Sequence, residues 1–141
     1  MTLYNGCPIE LDLSTMEKET KIFIILGGIN AALAVILGAV AAHSLKAVLT
    51  AKLLATFKTG TLYHLFHSIG LFAVAFVSTL VPSSRLVKFS GWLMVAGIVL
   101  FSLSLYVFAL SGVHWFGILT PIGGLSFITS WLLLALAVLK K

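Results

Sequence analysis

The histidines are the side chains of this sequence whose chemistry could support a site. His64 and His67 are three residues apart in a stretch with helical periodicity, so they share a helix face. With His43 or His114 as a further ligand they could bind a metal, and a haem could take His67 as its axial ligand. The spacing is unspecific, because the chain contains no His-x-x-x-His pair and no cysteine near these residues. We therefore expect no cofactor and no metal site, with a haem or metal at His67, His43 or His64 as the less favoured alternative.

Catalysis is disfavoured by the positions of the acidic residues. All four carboxylates, Glu10, Asp12, Glu17 and Glu19, precede the first long apolar run, and none follows it. A serine nucleophile needs a histidine that a carboxylate orients, and ionisable carboxylates are common members of proton relays in membranes. The sequence therefore predicts that the protein is not an enzyme.

A polar cluster in the outer half of the apolar region is the strongest candidate for a site. The helical rise places His67 about 8 Å below the start of its apolar run, and the hydroxyls of Ser104, Tyr106 and Ser126 at comparable depth. Ionisable groups at such depth usually face other helices or a cavity. Hydrogen bonding between helices is the more ordinary role for such a group of side chains. Secondary candidates are His43, Tyr63 and Asn30.

The composition indicates a membrane protein. Hydrophobic residues make up 60% of the 141 residues, charged residues only 9%, and the mean hydropathy is +1.16. Long apolar runs with so little charge are typical of transmembrane segments. The pI is about 9.6, but the cations are scattered between apolar runs rather than gathered in a basic patch. We therefore expect the lipid bilayer and other membrane helices as partners, and no nucleic acid.

Four apolar runs are long enough to cross a bilayer. The first, residues 22–42, is uncharged and as a helix extends about 30 Å, the thickness of the hydrocarbon core. The others lie at about 62–81, 89–110 and 122–139. Since the chain crosses the membrane in each run, successive helices must run in opposite directions. The sequence predicts an all-α, antiparallel four-helix transmembrane bundle.

The link between spans 1 and 2 has a pattern of its own. Leu45, Leu49, Leu53 and Phe57 recur every four residues. This apolar stripe predicts a connector helix lying at the membrane interface.

Other local signals set the remaining boundaries. Pro82 is expected to end the second span, and Thr120 with Pro121 to form the N-cap and first residue of the fourth. Residues 16–141 form one membrane domain. Residues 1–15 are interpreted as an extension, either a surface tail or a segment before a natural start at Met16.

Small residues at helical intervals predict close helix packing. Such residues let helix backbones approach where dispersion rather than hydrophobicity drives association. The predicted packing positions are Gly27, Ala31, Ala34, Gly38, Ala42, Gly123 and Gly124.

The cations predict the orientation of the bundle. Six of them flank the ends of the spans on the N-terminal side, and three, Lys46, Lys52 and Lys58, lie on the other side. The positive-inside rule then places both termini in the cytoplasm of a multi-pass protein in a bacterial inner (cytoplasmic) membrane.

Four short motifs occur in order along the chain. They are Gly-Ala-Val-Ala-Ala-His-Ser-Leu-Lys at 38–46, Tyr-His-Leu-Phe-His at 63–67, Phe-Ser-Leu-Ser-Leu-Tyr at 101–106 and Thr-Pro-Ile-Gly-Gly at 120–124. With them, the chain from Met16 onward resembles the YgdD-like family of small inner-membrane proteins, a group of unknown function with mitochondrial transmembrane relatives. The resemblance implies four spans and no established activity. Because His64 occupies a position where the family usually has glutamine, the resemblance also implies that His64 is a bystander.

Two classes of function are compatible with these features. The favoured hypothesis is a structural or accessory subunit of a larger membrane complex, for example of the respiratory chain, or a homo-oligomer that docks through its small residues. The alternative is a binding module or small permease with a histidine-lined outer pocket for lipid, quinone, metal or haem.

Overall fold

The computed structural model describes residues 16–140, and within this range every regular element is helical. Expectations for residues 1–15 lie outside the described residues. The α-helices are α1 Lys18–His43, α2 Ala51–Leu80, α3 Arg85–Gly97, α4 Ser104–Ser111 and α5 Leu119–Leu139. A π-helical segment, Ile98–Leu103, joins α3 to α4, and 3₁₀ turns cover Leu45–Ala47 and His114–Ile118.

Four helical rods in the structure have the length and composition of membrane spans. They are Lys18–Ala47, Ala51–Leu80, Arg85–Ser111 and His114–Leu139. The rods α1, α2, α3–α4 and α5 follow one another through short turns, and α2 contacts all the others. The predicted antiparallel four-helix bundle is therefore confirmed.

The connector between spans 1 and 2 differs from the prediction of a separate interfacial helix. One 3₁₀ turn follows α1, and α2 then runs without interruption from Ala51, with the hydroxyl of Thr50 accepting a hydrogen bond from the Leu53 amide at 3.4 Å. The reason is that the apolar stripe has a partner within the bundle. Phe57 is buried against the ring of Tyr106, with ring centroids 4.7 Å apart. Leu53 and Phe57 of the predicted stripe thus lie at the start of α2, whereas Leu45 lies in the 3₁₀ turn and Leu49 in the link before α2.

The start of the fourth span also differs from the prediction. The helix α5 begins at Leu119, after the 3₁₀ turn, with Ile118 as its N-cap residue. The hydroxyl of Thr120 lies 3.1 Å from that of Ser104 instead of capping the helix. Pro121 falls in the first turn, where the missing amide hydrogen breaks no helical bond. Gly112, with φ of 70°, closes α4 in the left-handed conformation that favours glycine.

The helices α1 and α2 pack along an antiparallel seam with alternating steps of three and four residues. On α2 the seam residues include Thr61 opposite Gly38, His64 opposite Asn30, Ser68 opposite Gly27 and Ser78 opposite Thr20. On α1 they are Thr20, Phe23, Gly27, Asn30, Ala34, Leu37 and Ala41, of which Asn30 and Leu37 are half-buried. This 3.5-residue repeat is the spacing of knobs-into-holes packing between helices.

The seam uses only part of the small-residue pattern predicted for α1. Gly27 and Ala34 are buried on it, whereas Ala31 and Gly38 are half-buried and Ala42 is exposed. The placement of Ala42 at a helix contact is therefore wrong within the described chain. The prediction assumed a repeat of four residues, and a 3.5-residue repeat carries position 42 off the contact face.

At one end of the bundle, the start of α1 is bound to the turn between α2 and α3. The amide and hydroxyl of Ser83 donate to Glu17 at 3.0 and 2.9 Å. The ammonium of Lys88 lies 3.0 Å from Glu19. The first residues of α1 and the α2–α3 turn therefore lie on the same side of the membrane domain.

Candidate functional site

The four side chains predicted as one polar cluster are not joined to one another in the structure. Ser104 donates to the carbonyl of Phe101 at 2.8 Å, and Ser126 donates to that of Leu93 at 2.8 Å. Tyr106 and His67 bond to other partners, described below. The predicted cluster is therefore wrong as a single network, because each hydroxyl finds the backbone or side chain nearest to its own helix face.

A buried chain of three hydrogen bonds instead centres on His64. The hydroxyl of Tyr106 lies 3.2 Å from Nδ1 of His64, and Nε2 of His64 lies 3.0 Å from Oδ1 of Asn30. The amide nitrogen of Asn30 donates in turn to the carbonyl of Leu26 at 2.8 Å. Since the amide oxygen can only accept, Nε2 carries the proton and Nδ1 accepts from Tyr106. The chain links α4, α2 and α1.

His64 is therefore a structural centre and not the bystander that the resemblance implied. Both of its ring nitrogens are bonded to protein groups, and its side chain is 5% exposed. The signal that would have identified it is the 3.5-residue repeat, which places His64 on the same face of α2 as Phe57 and Leu71. Asn30 was predicted as a secondary candidate, and its partner lies across the seam.

His67 lies on the neighbouring face of α2, toward α5. Its Nδ1 is 2.7 Å from the carbonyl oxygen of Tyr63, and its ring stacks on Phe127 with centroids 3.3 Å apart and planes 11° from parallel. The residue is only 4% exposed. No described residue forms a hydrogen bond to Nε2. His67 is thus a buried histidine with one nitrogen fixed and the other free.

The free nitrogen belongs to the wall of a groove of about 510 Å³ between α2, the π-helical segment and α5. The lining residues are Leu62, Tyr63, Phe66, His67, Phe101, Gly124, Phe127, Ile128 and Trp131. Five of them carry aromatic rings besides the imidazole. Leu62, Phe66 and Ile128 are each more than half exposed on the outside of the bundle. The groove therefore opens sideways, toward the lipid.

The π-helical segment shapes one wall of this groove. Along α3, the π segment and α4, the buried residues Met94, Ile98, Ser102 and Tyr106 recur every four residues. The wider turn of a π-helix keeps side chains with this spacing on one face. Such turns are rare in proteins overall, but they occur often at functional sites. Nothing in the sequence pattern signalled this segment. It places Tyr106 toward His64 while Phe101 lines the groove.

Gly123 lets α5 approach the π segment closely. A Cβ atom on Gly123 would lie 2.5 Å from the backbone nitrogen of Phe101. At the next residue the space opens: a Cβ on Gly124 would have the Phe101 ring as its nearest neighbour, at 3.8 Å. Both glycines were predicted to pack closely, and only Gly123 does so.

The remaining histidine candidates lie apart from the groove. His43 is exposed at the end of α1, and His114 in the α4–α5 turn contacts the ring of Phe108. Tyr63, a secondary candidate, lines the groove beside His67. Among residues 16–140, no three His, Cys, Asp or Glu side chains come together as a metal-ligand group.

Comparison with known proteins identifies relatives of this chain. Residues 37–124 match the family described as "Protein of unknown function (DUF423)". The chain belongs to the DUF423 family. The DUF423 match includes both histidines of α2 and the π-helical segment. No solved structure matches the chain.

The chain aligns with its curated relatives over almost the whole length of each relative. The UPF0382 membrane protein YwdK of Bacillus subtilis is 48% identical over 120 residues, which is 85% of this chain and 98% of the relative. The UPF0382 membrane protein SSP2132 of Staphylococcus saprophyticus is 44% identical with the same coverage. These bacterial relatives confirm the resemblance to small membrane proteins of unknown function. This DUF423 protein is accordingly a small multi-span membrane protein in contact with the lipid bilayer.

Proposed function

We propose that the protein is a membrane-embedded binding module that holds a small molecule of the lipid phase in the groove beside His67. One observation carries the proposal: a histidine that is 4% exposed keeps Nε2 without a hydrogen bond to any described residue, on the wall of a groove of about 510 Å³. The groove beside His67 corresponds to the histidine-lined pocket of the alternative hypothesis.

The energetics of polar burial support a ligand at this position. Nε2 of His67 is open to the groove, and a polar atom that faces lipid instead of water loses a hydrogen bond at a cost of about 1–3 kcal/mol. Apolar clefts of several hundred Å³ with few convergent polar groups are the usual form of small-molecule sites. The groove at His67 has this form. Its lateral opening lets an apolar molecule enter directly from the bilayer.

The accessory-subunit hypothesis loses its main support in the structure. It depended on small residues at packing intervals, and Gly27, Ala34 and Gly123 are buried against helices of the same chain. The exposed apolar residues of α1 are those expected of any lipid-facing helix. Binding in the groove therefore has the more specific evidence.

We propose binding without catalysis. Glu17 and Glu19, the carboxylates among the described residues, lie at the end of α1 that contacts the α2–α3 turn. The groove is lined by uncharged residues and one imidazole. No neighbouring carboxylate is therefore available to turn this imidazole into a general base of the triad type.

A pair of glycine substitutions tests the proposed function. Leucine at Gly124 would extend into the groove, and its Cβ would meet no atom closer than 3.8 Å, so Gly124→Leu is expected to fold. The matched control is Gly28→Leu, because a Cβ on Gly28 of α1 has no neighbour within 4 Å. Native mass spectrometry of protein extracted from its own membrane in mild detergent should show a retained small molecule. Gly124→Leu should lose it, and Gly28→Leu should retain it.

Two results would contradict the proposed function. One is that the unmodified protein carries no small molecule and does not bind an alkylphenol such as 4-nonylphenol. The other is that Gly124→Leu retains the molecule at the same occupancy as Gly28→Leu.

We also propose that both termini face the cytoplasm of a bacterial inner (cytoplasmic) membrane. The contacts of Glu17 and Glu19 with the α2–α3 turn support this, since they bring Lys18, Lys21, Arg85 and Lys88 to one end of the bundle. Single cysteines at Gly117 and Lys140, in a Cys7→Ser background, test it with an impermeant thiol reagent on intact cells. Gly117→Cys should be labelled and Lys140→Cys should not; the reverse pattern contradicts the orientation.

A further inference from the structure

The hydrogen bond of His67 determines what its free nitrogen can bind. Nδ1 lies 2.7 Å from the carbonyl oxygen of Tyr63, and a carbonyl oxygen only accepts hydrogen bonds. The proton of the ring is therefore on Nδ1. A second proton would place a cation among aromatic rings without a counter-charge, which is unfavourable. Nε2 of the neutral ring therefore carries a lone pair and acts as a hydrogen-bond acceptor.

We infer that the groove binds a flat ring carrying a hydroxyl group, whose O–H donates to Nε2 of His67. This is the chemistry of a reduced quinone headgroup or of another phenol with an apolar tail. The inference rests on the proposed function and narrows it to one class of ligand. It distinguishes donors from acceptors: the oxidised quinone, which has only carbonyl oxygens at its ring, cannot form this bond.

The orientation of His67 is fixed from two sides. The bond to Tyr63 restrains rotation of the imidazole, and the ring of Phe127 covers one face at 3.3 Å. A fixed acceptor favours a ligand whose donor is held equally firmly, because less freedom is lost on binding.

The walls of the groove favour a ring over an acyl chain. Tyr63 and Phe101 lie with ring centroids 4.5 Å apart, and Phe66 and Trp131 with centroids 6.0 Å apart. Aromatic rings gain energy beyond buried area when they meet other rings stacked or edge-on. An acyl chain has no ring to interact with these aromatic side chains, and it has no O–H or N–H group to donate to Nε2. An anionic headgroup would find no cation among the lining residues.

The test compares 4-nonylphenol with its methyl ether. The two probes differ only in whether the ring oxygen carries a hydrogen, which can be donated, or a methyl group. Trp131 lines the groove, so the double variant Trp92→Phe, Trp115→Phe leaves one tryptophan as a fluorescent reporter in lipid nanodiscs. We expect the phenol to bind about 5- to 10-fold more tightly than the ether, the value of one hydrogen bond. A short-tailed quinol should likewise bind more tightly than its matching quinone.

Substitutions at His67 attribute this preference to Nε2. His67→Phe keeps an aromatic ring against Phe127 and removes the acceptor, so the phenol and the ether should bind equally. His67→Gln restores an acceptor oxygen and should recover part of the preference. It also provides the test if the Phe variant fails to fold.

The outcomes separate the inference from the proposed function. If the phenol and the ether bind equally to the reporter protein and Gly124→Leu weakens both, the groove is a binding site and the donor inference is overturned. If 1-dodecanol binds as tightly as 4-nonylphenol, the preference for a ring is overturned. If neither probe binds, or Gly124→Leu leaves both affinities unchanged, the proposed function fails and the inference with it.

Discussion

Nε2 of His64 lies 3.0 Å from Oδ1 of Asn30, inside the seam between α2 and α1. The bond joins two polar side chains that are both directed away from lipid. It also holds the first helix to the bundle, because α1 packs mainly against α2. The neighbouring His67 has the opposite arrangement, with Nδ1 bonded to its own helix and Nε2 free. Two histidines three residues apart therefore have different roles.

Removing the partner of His64 should destabilise the bundle. Asn30→Ala leaves the Nε2–H group of His64 without its acceptor in a buried position, and we expect a loss of about 1–2 kcal/mol, the upper range for hydrogen bonds between membrane helices. Unfolding in detergent micelles, followed by circular dichroism, measures the change. Val35→Ala on the lipid-facing side of α1 is the control, with an expected effect below about 0.5 kcal/mol. Equal stability of both variants would contradict the role of the bond.

The hydroxyl of Ser102 should be dispensable. It is fully buried in the π-helical segment and is the one buried side-chain polar atom among residues 16–140 that lacks a hydrogen-bond partner. Ser102→Ala removes an unsatisfied group without opening a large cavity, so we expect unchanged stability or a gain of about 1 kcal/mol. Thermal unfolding in the same detergent measures it.

Ser130 is the matched comparison for Ser102, because it is equally buried and fully bonded. Its hydroxyl donates to the carbonyl of Ser90 at 2.7 Å, and the hydroxyl of Ser90 donates back to the carbonyl of Ser130 at 2.9 Å. Ser130→Ala should therefore cost about 0.5–1.5 kcal/mol. A Ser102→Ala variant less stable than Ser130→Ala would show that the Ser102 hydroxyl has a partner in the membrane.

Alanine at two adjacent glycines should have opposite effects. A Cβ on Gly123 would collide with the backbone of Phe101, which cannot rotate away, so Gly123→Ala should destabilise by about 1–3 kcal/mol. At Gly124 the Cβ has room, and alanine is the better helix former, so Gly124→Ala should be neutral or stabilise by up to about 1 kcal/mol. Unfolding of the two variants in parallel measures the difference. If both behave alike, α5 does not contact the π segment as described.

The four spans could be predicted because the signal for a membrane helix, a long run of apolar residues, lies in a continuous stretch of the sequence. An uncharged apolar run such as 22–42 has few alternatives to a membrane helix, whatever surrounds it. Side-chain partners depend instead on which helix faces meet. Asn30 was expected to need a partner, but its pairing with His64 follows from the antiparallel register of α1 and α2, which local spacing does not fix.

The groove could be predicted only in part. Depth along the helix was sufficient to single out His67, whereas Phe101, Phe127 and Trp131 come together through the π-helical segment and the close approach at Gly123. A repeat of four residues from Met94 to Tyr106 is compatible with an ordinary helix, so the wider turn had no clear signal in the sequence. The prediction of an interfacial connector helix was wrong for a related reason. An apolar stripe has the same sequence pattern whether it is covered by lipid or by another side chain such as Tyr106.

The imidazole nitrogens of His67 provide the most direct test of the groove. ¹⁵N magnetic resonance of histidine-labelled protein in nanodiscs distinguishes protonated from unprotonated ring nitrogens, and loss of the signal in His67→Gln assigns it. We predict a protonated Nδ1 and an unprotonated Nε2, whose resonance moves toward that of a hydrogen-bonded nitrogen when 4-nonylphenol is added and stays in place with the methyl ether. A protonated Nε2 before addition, or a resonance that neither probe moves, would contradict binding at His67.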